Sequence, residues 1–116
     1  MTTKKSIPEP FINLEIKGTY EDFNDFYDEN KESIYLSILE LFHEFKTTRK
    51  KSLILFVSAK IKGLDWDTEF KFHKQESVVL TRDVLPYFEG TENYEKCAEI
   101  KNLYEVLTNK KELIKL

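Results

Sequence analysis

The sequence predicts an α+β domain: an antiparallel sheet of three to four strands centred on a hairpin turning at Gly63-Leu64, with two main helices packed on one face. The helices are expected over about residues 31–46 and 92–108. Three observations carry this reading. Two runs of β-branched and aromatic residues, Ser52 to Ile61 and Trp66 to His73, flank a glycine turn. Two longer stretches repeat apolar residues at intervals of three and four. The order strand, helix, hairpin, short strand, helix suits helices laid on one side of a sheet.

Residues 1–10 are polar and carry Pro8 and Pro10, which withhold amide donors, so they read as an extended or mobile lead, with one domain over 11–116. From Phe11 to Lys17 the chain alternates, with Ile12, Leu14 and Ile16 on one side and Asn13, Glu15 and Lys17 on the other, as in a half-buried strand. Gly18 is expected to end that strand and Thr19 to cap a helix whose apolar side is Phe23, Phe26 and Tyr27. Whether residues 19–46 form one bent helix or two is left open by Asn30, which can stop one or start another. Ile34, Ile38, Leu41, Phe42 and Phe45 then mark the main helix, and His43 and Lys46 sit where free carbonyls favour cations.

In the hairpin, glycine at the first loop position fits a type II′ turn. Counting outward from Gly63-Leu64 sets Ile61 across from Trp66, Val57 from Phe70 and Leu55 from Phe72. On the other face Lys60 meets Asp67 and Ser58 meets Glu69. Ser77 to Thr81 is β-branched and reads as a further strand. Thr81 is then expected to cap a brief helix reaching Phe88, which Pro86 limits, and Gly90 breaks the chain. Thr91 is placed as the cap of the last helix, on which Tyr94, Cys97, Ile100, Tyr104 and Leu107 share a face. Asn109 is its expected stop, and Leu113, Ile114 and Leu116 give the tail apolar residues with which to dock.

Composition narrows the function classes. The 116 residues are 41% hydrophobic and 34% charged, with nine Phe, six Tyr and one Trp, enough large side chains for one core. A net charge of −3 gives no global attraction for nucleic acid or anionic lipid. The single cysteine excludes an internal disulfide. Without a long apolar run, neither a membrane span nor a signal peptide is expected, and the expected location is cytoplasmic.

Catalytic patterns are thin. Cys97 lies on an apolar helix face and reads as core filler, there is no Gly-x-Ser-x-Gly elbow, and three isolated glycines make no phosphate loop. His43 and His73 form no short ligand pair, so neither a metal nor another cofactor is implied.

The strongest local bias is acidic. Glu21, Asp22, Asp25, Asp28 and Glu29 lie beside Phe23, Phe26 and Tyr27, a combination that can steer and anchor a basic partner. The chain therefore reads as a non-enzymatic binding protein, of adaptor, immunity-type or inhibitor-like character, acting on a protein or ribonucleoprotein, with oligomeric state open. The alternative is direct nucleic-acid binding through Lys46, Arg49, Lys50 and Lys51 together with Lys60 and Lys62 of the hairpin.

Overall fold

The computed structural model describes residues 11–108. The lead at 1–10, the helix stop at Asn109 and the tail at 110–116 lie outside the described residues. In chain order the elements are β1 (Phe11–Tyr20), α1 (Phe23–Glu29), α2 (Lys31–Thr47), β2 (Ser52–Ile61) and β3 (Leu64–His73). A 3₁₀ turn (Lys74–Glu76) and a π-helical turn (Leu80–Val84) then lead into α3 (Leu85–Gly90), followed by α4 (Tyr94–Thr108).

The sheet is three-stranded and mixed, in the order β1-β2-β3, and so differs from the expected antiparallel sheet. β2 and β3 form the antiparallel hairpin, but β1 pairs with β2 in parallel, with Ile12 beside Leu55 and Leu14 beside Val57. The reason is the connection. Two helices separate β1 from β2, and a crossover of that length returns the chain at the same end of the sheet. β1 also runs past Gly18 to Tyr20. Gly18 takes a φ of +102°, and the β1–β2 register shifts between Glu15 and Thr19. A glycine that adopts a positive φ freely lets the strand bulge instead of ending.

The hairpin turns one residue earlier than expected. Ile61 faces Leu64, and the loop residues are Lys62 (φ 59°) and Gly63 (φ 76°), the two positive values of a type I′ turn. Each cross-strand pair is therefore displaced by two residues: Ala59 faces Trp66, Val57 faces Thr68, Leu55 faces Phe70 and Leu53 faces Phe72. A displacement of two keeps every side chain on its expected face. It also sets the small Ala59 across from the indole of Trp66, which then receives Phe23 and Phe26 on its ring.

The expected strand at Ser77–Thr81 is helical. Ser77, Leu80, Val84 and Phe88 are all buried, a spacing of three and four that continues the stripe of the following helix, while Val78 is 46% exposed. Side-chain burial overrides the β preference of Val78, Val79 and Thr81. Pro86 is absorbed by the wide turn before it, in which the Leu85 N–H donates to the Leu80 carbonyl. A π turn relieves the clash a proline ring makes with the preceding turn.

The helical layer also differs from two main helices on the sheet. Among the described residues there are four α-helices; α1 and α2 approach the strands, whereas α3, α4 and the π turn pack on one another and on α2. One apolar cluster results, joining Leu53, Leu55 and Val57 to Phe26, Phe42, Phe45, Leu80, Phe88 and Ile100, with Ile12, Leu14 and Ile16 at its margin. Fully burying one such side chain stabilises the fold by about 1.5–3 kcal/mol.

Candidate interaction surface

β1 ends at Tyr20, opposite Ile61, so α1 begins beside the hairpin turn. The cap is Asp22, not Thr19. The Asp22 carboxylate accepts from the Asp25 N–H at 2.9 Å, while Thr19 stays in β1 alongside Lys60. The helix consequently starts at Phe23, and Asn30 separates α1 from α2, so residues 19–46 contain two helices.

The three aromatics of α1 have different fates. Phe26 is 1% exposed and is edge-on to Tyr20 and Trp66, which makes it core and removes it as a contact for a partner. Tyr27 is half-buried; its hydroxyl lies 2.5 Å from that of Tyr35, and Lys31 sits over its ring. Burial and the Tyr27 hydroxyl push the Tyr35 phenol well above the ordinary tyrosine range, so it stays protonated. Phe23 is 48% exposed, with its ring 5.3 Å from that of Trp66. The sequence places Trp66 in the hairpin across from Ile61 and not in this surface; the observed register sets it three residues beyond Gly63, across from the small Ala59.

Around Phe23 the charge is negative. Glu21 is exposed in the bend before the helix and lies outside α1, which starts at Phe23. Asp25 and Glu29 lie one turn apart on α1. Asp28 reaches Lys31 only at 3.9 Å, with its side chain 70% exposed. Among the described residues, Glu21, Asp25 and Glu29 make no ion pair.

The basic groups divide between the two ends of β2. Lys46 lies in the last turn of α2 and Arg49, Lys50 and Lys51 in the loop before β2, all exposed. Lys71 and Lys74 adjoin them, since the Lys74 N–H donates to the Lys51 carbonyl at 2.9 Å and Lys71 faces Ile54 rather than an acid. Lys60 and Lys62 are at the far end of a ten-residue strand, about 30 Å away at the usual rise per residue. Lys60 is also held by Asp65 at 2.7 Å, and that lysine holds the Asp65 carboxyl below its ordinary range. The six cations named as one nucleic-acid surface thus form two separate groups.

Elsewhere, His43 on α2 lies 2.7 Å from Glu99 on α4, and Lys96 donates to the same carboxylate at 3.0 Å. Partial burial opposes the Glu99 charge, but the hydrogen bonds from Lys96 and His43 outweigh it and keep this carboxyl below the ordinary glutamate range. The group ties two helices together. A cavity of about 510 Å³ opens on the outer face of the sheet where β1 bulges, edged by Glu15, Lys17, Lys60, Asp65 and Asp67. Cys97 is buried. Among the described residues, no three His, Cys, Asp or Glu side chains are grouped as metal ligands, and no helix is long and apolar enough to cross a membrane.

Compared with known proteins, the chain significantly matches no family model, no curated protein and no solved structure.

Proposed function

We propose that this protein acts without catalysis, by docking the α1 end of the molecule on a macromolecular partner. The observation that supports the reading is Phe23, an apolar ring half open to solvent on the edge of Trp66, beside the carboxylates of Glu21, Asp25 and Glu29, which make no ion pair among the described residues. Aromatic anchors ringed by charge are the usual energetic centre of a protein interface, and the charge speeds approach. The fitting partner is a protein or ribonucleoprotein with a basic rim around an apolar pocket.

Affinity purification of the tagged chain from its source cells tests this. Phe23→Ser is expected to lose the co-purifying partner, and Glu21→Lys with Asp25→Lys to slow its capture, both with unchanged circular dichroism. Asp22 is left intact because it caps α1. Capture that is indifferent to these changes overturns the reading.

A second reading, nucleic-acid binding, is favoured by one observation: among the described residues, Lys46, Arg49, Lys50, Lys51, Lys71 and Lys74 have no ion-pair partner and converge on one end of the sheet. Binding there should weaken steeply as salt is raised in a titration with labelled oligonucleotides. Absence of binding at low salt ends it.

A further inference from the structure

β3 is a ten-residue strand hydrogen-bonded to β2 on one side and, in the described sheet, to no strand on the other. Edge strands usually carry devices that block pairing with another chain; this one is long and presents Phe70 42% exposed on the core-side face. The helical layer reaches the same face of β3 on either side of Phe70, through Phe23 and Phe26 on Trp66 and through Phe42 on Phe72. Phe70 lies between these two supports.

The backbone polarity of this edge follows from the pairing. In an antiparallel ladder successive residues bond alternately to one side and the other. The Lys74 N–H turns inward to Lys51, while the His73 N–H turns outward to the Glu76 carboxylate at 2.7 Å. The odd-numbered residues of β3, Asp67, Glu69 and Lys71 among them, therefore direct their amides and carbonyls toward the open edge.

Their side chains supply the register. On the outer face the order is Asp67, Glu69, Lys71, His73: two acids, then two bases, with Phe70 at the midpoint. Reversed, the same order is its own electrostatic complement. We infer that β3 pairs antiparallel with β3 of a second copy about a two-fold axis at Phe70, joining two sheets into one of six strands.

In that register Glu69 faces the second copy's Lys71, Thr68 faces Phe72, and the two Phe70 rings meet in a close, non-hydrogen-bonded pair; Asp67 faces His73, whose outward N–H is already held by Glu76, so the new ladder ends before that rung. Moving the axis to Glu69 sets that acid against itself; moving it to Thr68 sets Asp67 against Glu69; moving it to Lys71 opposes two lysines. A parallel, in-register pairing stacks every charge on its own kind. Phe70 alone gives opposite or neutral partners throughout. The backbones of α1 and α2 approach β1 and β2, and these helices reach β3 through side chains on Trp66 and Phe72. The contact is short, so the dimer is expected to dissociate in about the micromolar range.

Sedimentation equilibrium of the full chain, from about 1 to about 500 µM, should show a reversible shift from 13.8 kDa toward twice that mass. Glu69→Lys and Lys71→Glu each create like-charge pairs across the axis twice over and should raise the dimer dissociation constant by about tenfold or more. Within the chain Glu69 faces Phe56 and Lys71 faces Ile54, so neither change breaks an ion pair across the hairpin. The double variant Glu69→Lys with Lys71→Glu restores opposite charges in the same register and should recover the wild-type constant. Phe70→Cys should oxidise to a symmetric interchain disulfide. A chain that stays monomeric over this range, a dimer unmoved by either single reversal, or singles that the double fails to rescue overturns the proposal.

Discussion

β2 and β3 have the same length, yet Leu55 on β2 is 1% exposed and Phe70, directly across from it, is 42% exposed. The two residues share one rung and one face. What differs is lateral company: β2 has a strand on each side and α2 above, whereas β3 has a strand on one side and helices touching its Trp66 and Phe72. Alternation decides which face a side chain occupies; neighbouring elements decide how dry that face is.

Substitutions along the rung sharpen this contrast, and all are read by urea denaturation of dilute protein. Leu55→Ala should cost about 2–5 kcal/mol, the loss of a fully enclosed side chain plus the void left behind. Equal tolerance of Leu55→Ala and Phe70→Ala would break the comparison. Trp66→Ala is expected to cost about 1–3 kcal/mol, because the indole is half-buried but joins α1 to β3 through Phe23 and Phe26. Phe70→Ala should cost less than about 1 kcal/mol in the monomer.

The Glu99 bridge lies in the helical layer, away from either strand, and its contribution depends on pH. Since its folded carboxyl titrates below the ordinary range, its stabilisation is present at neutral pH and is lost as the pH falls below about 4.5. Glu99→Gln should therefore lower the midpoint slightly at pH 7, with the difference from wild type fading in acid. Asp65→Asn, at an exposed pair with Lys60 beside the turn, should leave the midpoint unchanged at neutral pH.

The elements most visible in the sequence were those with an unbroken period. Leu53 to Val57 is an unbroken apolar run, Trp66 to Phe72 alternates, and Ile34 to Phe45 repeats at helical spacing, so β2, β3 and α2 stand near their expected places. Lys60 was expected to pair with Asp67 and pairs with Asp65 instead, because charges two residues apart on a strand face are interchangeable partners until the turn is fixed. The parallel pairing of β1 was legible in principle from the helical length between β1 and β2. The helical state of Ser77–Thr81 was not, since Val78, Val79 and Thr81 favour strands locally and only the burial of Leu80 and Val84 decides against it. In the candidate surface, Phe23 and Phe26 occupy the same side of α1 at a spacing of three, and no local signal separates the exposed ring from the enclosed one. Their difference comes from Tyr20 and Trp66, contributed by β1 and β3.

The break of step at Gly18 bears on how far assembly could run. A sheet with two margins open among the described residues can be extended from both, copy after copy, into a ribbon. On the β1 margin, however, the register slips between Glu15 and Thr19, so a strand laid there would lose its regular succession of donors and acceptors partway along. With the proposed pairing, growth is confined to the β3 margin and union there consumes it, which favours a finite pair over a fibre.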